Sequence, residues 1–204
     1  KNELEEFYLP FKPKRRTRAT IAREKGLEPL ALKILEMEDG FDPVNLATVC
    51  MPDYNDVNSV DEALAGARDI ISETMSENAD YRSIVYKQMH EEGNYISKVK
   101  KEYKEKNTKY NMYYDYHHTV DSISSHNMLG LRRAENEGVI TFTIEVEDEE
   151  ILTKLRNSII GNRKNKSADI VSEAIEDSYN RLMKTSIISK IRLENKDKAD
   201  EEAI

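Results

Sequence analysis

The chain has 204 residues, enough for one domain or two small ones, and a chain of this size buries about 70% of the surface that its unfolded form exposes. With 34% charged and 38% hydrophobic residues, seven glycines, five prolines and no tryptophan, it fits a mostly helical protein with long solvated faces. The net charge of −8 excludes a surface that is basic throughout, the single Cys50 excludes an internal disulfide and fits a reducing compartment, and no apolar run approaches the roughly 20 residues needed to span a bilayer.

In chain order, KNELEEFYLP is charged and lacks the apolar stretch of a secretory signal. Pro10 and Pro13 make residues 8–14 an extended connector, because each fixes φ and disfavours helix just before it. Thr17 is placed to cap a helix over about 18–25 that stops at Gly26. Pro29 sits in the first turn of a second helix, whose Leu27, Leu30, Ile34 and Met37 share one face. Two short helices in succession give the outline of a helix-turn-helix. Residues 38–58, with Gly40, Pro43, Pro52 and DYNDVNS, read as turns and as a candidate boundary.

Ser59 with Glu62 forms a capping box that opens a helix with Val60, Leu64, Ala67, Ile71 and Met75 on its apolar face. The pattern predicts two further helices, over about 79–92 and, after Gly93, over about 94–106. Residues 107–124 are irregular and aromatic. Ser125 is placed to cap a helix that ends near Gly138. Ile140, Phe142, Ile144 and Val146 alternate with polar residues, which is strand periodicity, and 110–116 is the proposed partner strand. Helices over about 148–159, 167–183 and from 186 onward complete the chain. No internal repeat is present. The fold class expected is mainly α: a helix-turn-helix-like start packed with a multi-helix bundle, plus one minor β element. The expected division is 1–58 for the helix-turn-helix-like segment and 59–204 for the bundle.

No set of residues has the spacing of a catalytic site. His117 and His118 are adjacent, so on a helix they point about 100° apart and do not chelate one ion. His126 beside Ser124 and Ser125 lacks a third group. Cys50 reads as a small buried hydrophobe, and the glycines are isolated, so no phosphate loop is formed. The expectation is a non-enzymatic protein without metal or cofactor.

Three basic segments remain. Lys12, Lys14, Arg15, Arg16 and Arg18 form the densest, continued by Arg23. The second, KVKKEYKEK at 98–106, reads as a helix face whose lysines pair with Glu102 and Glu105 one turn away. The third is NRKNK at 162–166. Each segment alone admits two readings, contact with phosphates or plain solvation.

YLPFKPKRRTRATIAREKGLEPLA (8–31) resembles the hallmark segment of the Tex family of bacterial transcription accessory proteins. DEALAGARDIISE (61–73), Ser125–His126 with LGLRRAENEGVI (129–140), and DSYNRLMKTSI (177–187) through IRLENKDKADEEAI (191–204) are similar to later stretches of the same family in order and spacing. Asn127 stands where the resemblance implies Arg. The resemblance implies a cytoplasmic, nucleic-acid-binding protein associated with transcription. It also implies a chain continuing beyond Ile204 into an RNase H-like domain, helix-hairpin-helix modules and an RNA-binding oligonucleotide-fold domain. The absent initiator Met and the helix-like end DKADEEAI agree with a piece of a longer protein.

Two functions follow as expectations. The first is a non-catalytic transcription-factor segment whose Lys12, Lys14, Arg15, Arg16, Arg18 and Arg23 touch the phosphates of RNA or DNA. The second is a scaffold that positions the remaining domains and docks RNA polymerase or another protein. Neither involves a membrane.

Overall fold

The structure, a computed structural model, describes residues 15–203. It is mainly α, with one three-stranded antiparallel sheet. The chain forms two compact units that alternate along the sequence. The first takes the stretch up to Arg82 and Leu152–Met183; the second takes Ser83–Ile151 and the stretch from Lys184.

In the first unit Thr17 is extended (φ −108°, ψ 171°), and its hydroxyl accepts from the Thr20 N–H at 3.1 Å. That cap starts α1 (Arg18–Glu24), which ends where Gly26 turns to φ +86°. α2 (Glu28–Leu35) follows with Pro29 in its first turn, and Leu27, Leu30, Ile34 and Met37 are all buried, as their spacing requires. α3 (Pro43–Cys50) forms inside the stretch that the sequence reads as turns. Asp42 and Pro43 are turn formers that serve equally as a helix start: the Asp42 carboxylate accepts from the Val44 N–H at 3.0 Å, and Pro43 needs no N–H partner. Cys50 ends α3 half-buried rather than in the core.

α4 (Val60–Glu77) carries the expected cap. The Ser59 hydroxyl accepts from the Glu62 N–H at 3.1 Å, and the Glu62 carboxylate accepts from the Asn58 N–H at 2.9 Å. α4 is the centre of this unit, packing against α1, α2, α3 and, later in sequence, α8 (Lys166–Asp177). Its buried face carries Ala63, Ala67, Ile70, Ile71 and Met75. Each large apolar side chain so buried contributes about 1.5–3 kcal/mol before the ordering cost is set against it. α8 runs on into one π-helical stretch, Ser178–Met183, whose Tyr179 and Met183 are buried.

The division between units falls inside α5 (Ala79–Glu92) and inside α7 (Asp148–Ile159). The second unit holds the sheet: β1 (Asn94–Val99), β2 (His117–Thr119) and β3 (Ile140–Glu145), in the order β2-β1-β3. Asn94 lies opposite Thr119 on one side and Glu145 on the other, and Val99 lies opposite Ile140. On β3, Ile140, Phe142 and Ile144 are buried while Thr141, Thr143 and Glu145 are exposed. α6 (Ser125–Asn136) packs on β3 and on α9 (Lys184–Glu202).

β1 replaces the helix expected over 94–106. Tyr95, Ile96 and Val99 favour a strand, and two neighbouring strands take up the backbone hydrogen bonds that a helix would have made internally. The partner of β3 is therefore β1, not 110–116. That aromatic stretch extends the β2 side instead: the Tyr116 and Tyr114 carbonyls accept from the Ser97 and Val99 N–H groups at 3.1 and 3.0 Å. No helix among the described residues is long and apolar enough to cross a membrane.

Candidate nucleic-acid interface

Lys12, Lys14 and the proline-fenced connector lie outside the described residues. The rest of the densest basic segment is set by the start of α1. Arg15 and Arg16 precede the Thr17 cap and are exposed; Arg18 is the first residue of the helix and is also exposed. Arg16 reaches along α1 to Glu24, with Nη2 donating to Oε2 at 2.7 Å. Both side chains are more than half exposed, at 68% and 52%, so the pair is worth little and is readily exchanged for another anion.

Arg23 differs from the others. Its Nη1 donates to Glu73 on α4 at 2.9 Å, and its Nε lies 3.5 Å from Glu28. Glu73 is 7% exposed, so Arg23 compensates a carboxylate held in the protein interior. The structure therefore separates Arg23 from Arg15, Arg16 and Arg18: it ties α1 to α4.

Arg18 lines a cleft with Arg68, Asp69, Glu173, Glu176, Asp177 and Asn180, which sets four carboxylates against two guanidinium groups. Arg68 is ion-paired with Glu173. Arg181 grips Asp177 with two donors, Nε at 3.0 Å and Nη2 at 2.7 Å, and holds its carboxyl below the ordinary range. Burial pushes the Asp69 carboxyl upward, against the pull of Arg181 and Arg18. The surface beside Arg18 is thus of mixed sign.

The third basic segment is largely engaged in structure. Asn165 caps α8, its side-chain carbonyl accepting from the Ala168 N–H at 2.9 Å, and its amide donates to the Met37 carbonyl at 3.0 Å. Lys166 pairs with Asp42 at 2.6 Å, and Arg163 donates to the Ile160 carbonyl at 3.1 Å. Lys164 stands exposed between them.

The second segment belongs to the other unit, on the end of β1 and the loop after it. The helical pairing with Glu102 and Glu105 expected from the sequence is absent among the described residues. His117 and His118 lie in β2, where neighbouring side chains point to opposite faces. Among the described residues, no three His, Cys, Asp or Glu side chains come together as a metal site.

The family model described as Tex central region-like matches residues 38–204. The chain is 36% identical over 204 residues to an uncharacterized protein, YdcI, of Bacillus subtilis, covering 99% of this chain and 28% of that one. It is 35% identical over 147 residues to Protein tex of Bordetella pertussis (72% of this chain, 18% of that one). It is 30% identical over 151 residues to the Transcriptional accessory protein Tex of Neisseria gonorrhoeae (74% and 19%). The chain spans less than a third of the length of these relatives. The family match runs from α3 through the sheet to α9 and leaves out only α1 and α2 among the described helices, and the chain therefore belongs to the Tex family, whose central region it carries.

Proposed function

We propose that this chain is a non-catalytic piece of a cytoplasmic transcription accessory protein, and that it contacts nucleic acid through the basic segment before α1. Lys12, Lys14, Arg15, Arg16 and Arg18 supply the phosphate contacts; Arg23 does not, because it is occupied by Glu73 and Glu28. The observation that supports this reading is the exposure of Arg15, Arg16 and Arg18 at one helix start, with one weak ion pair, Arg16 to Glu24, among the described residues.

The test is binding of a labelled duplex to the whole chain across a salt series. Each phosphate contact contributes about 0.9 to the slope of log affinity against log salt. Replacing Lys14, Arg15 and Arg16 with Ala lowers that slope by up to about 2.7 and weakens binding evenly across sequences, with the unfolding midpoint nearly unchanged. If affinity and slope both stay put, the segment is not a phosphate contact.

The carboxylates beside Arg18 support a second reading, a scaffold whose mixed-sign cleft docks a protein such as RNA polymerase. In that case Arg18→Glu abolishes capture of the polymerase while leaving duplex binding as it was.

A further inference from the structure

Residues 98–109 carry six lysines against two glutamates, in a chain of net charge −8. On a helix, Lys98 with Glu102 and Lys101 with Glu105 would pair one turn apart and mute this charge. The segment is instead the end of β1, a 3-10 turn at Lys101–Tyr103, and a loop. Among the described residues neither glutamate pairs with a lysine, and Lys98, Lys100, Lys101, Lys104 and Lys106 are in no ion pair.

The loop is anchored at both ends. The Lys100 N–H donates to the Val139 carbonyl at 2.9 Å, and the Tyr114 hydroxyl donates to the Lys106 carbonyl at 2.8 Å. Farther on, Lys109 and the Tyr110 hydroxyl both reach Glu137, at 2.9 and 2.5 Å. Amid the lysines sits Tyr103, half-exposed, with the Lys106 ammonium 5.0 Å from its ring centre. A cationic track with an aromatic ring in it, already ordered, matches what an unpaired strand offers: phosphates for the lysines and a base for the ring.

We propose that the Lys98–Lys109 loop is a contact for single-stranded nucleic acid, with Lys101, Lys104 and Lys106 on phosphates and a base stacked on Tyr103. A duplex buries its base faces, so the loop prefers the single strand. The proposal rests on the reading that this chain contacts nucleic acid, but not on the segment before α1.

The experiment measures binding of a labelled oligothymidylate, and of the matching duplex, to the whole chain over a salt series. Lys101→Ala/Lys104→Ala/Lys106→Ala lowers the single-strand slope by up to about 2, at about 0.7 per contact. Tyr103→Ala weakens single-strand binding about fivefold or more, while Tyr103→Phe, which keeps the ring, stays near the unmodified chain. The Lys14/Arg15/Arg16 variant separates the two sites: if it alone loses binding, the loop proposal falls and the first segment stands. If the loop variant alone loses binding, the reverse holds. Unchanged single-strand affinity in the triple lysine variant, with an unchanged unfolding midpoint, overturns the proposal. Equal losses in Tyr103→Ala and Tyr103→Phe overturn the stacking, as does a preference for duplex.

Discussion

At Gly26 and Gly130 the absence of a side chain is used in two different ways. Gly26 has φ +86° and a roomy surrounding, the nearest atom to an added Cβ lying at 3.8 Å, so strain in the backbone is what a substitution meets. Gly26→Val is expected to lower stability by about 1 kcal/mol or more, read as a shift in the denaturation midpoint. Gly130 lies inside α6, where Ala is worth about 1 kcal/mol more than Gly in helix propensity alone. A Cβ there would stand 2.1 Å from the Tyr113 hydroxyl and 2.4 Å from its ring, and Tyr113 is only 3% exposed. Gly130→Ala is therefore expected to destabilise, by about 1–3 kcal/mol, against its propensity; a rise in the midpoint would show that the ring has room to move. Thr17, Gly26 and the Ser59–Glu62 pair were legible in the sequence because their partners lie within a few positions. The role of Arg23 was not, since Glu73 is 50 residues away and nothing local marks it as a partner.

At the level of elements, spacing identified the segments that carry a clear one-sided stripe or alternation, while α3 was missed because Asp42 and Pro43 start a helix with the same residues that make a turn. β3 alternates because one face is buried, and α4 shows its stripe because it packs along its length. β1 was misread because Ile96, Val99 and Tyr103 are spaced three and four apart, which suits a helix as well, and its choice is made by β2 and β3. The lysines after it were misjudged for the same reason, and with them the site proposed at Tyr103. Asn165 shows a loop residue acting for two elements: it caps α8 and braces the Met37 carbonyl, at a residue with φ +47°. Asn165→Ala is expected to cost about 1–2 kcal/mol in unfolding free energy, with Asn165→Asp recovering the cap but not the brace. If Asp restores the whole loss, the bond to Met37 contributes nothing.

For the whole molecule the acid limb of stability follows from paired carboxylates. Lys166 holds Asp42 below its ordinary value, Lys25 does so for Glu62, the Tyr110 hydroxyl for Glu137 and Arg181 for Asp177. A carboxyl depressed in the folded state adds stability that is complete above its unfolded value, near 3.8 for Asp and 4.5 for Glu, and lost as the pH falls through the folded value. Asp69, raised by burial, acts with the opposite sign and returns part of the loss on protonation. The urea midpoint is therefore expected to hold from neutral pH to about 5 and to fall below about 4. Asp177→Asn gives a shallower fall, and an equally steep one would show that the Arg181 pair is not coupled to folding.

The two units alternate along the sequence, and this has a consequence for a chain still being made. α2 and α4 present their apolar faces early, but α8, which packs on both, ends only at Asp177. At about 5–20 residues per second those faces wait roughly 5 to 30 seconds for their cover. The same interleaving means that one protease cut within Ser83–Ile151 leaves the first unit in two pieces, held together by α4 against α8, that still elute as one.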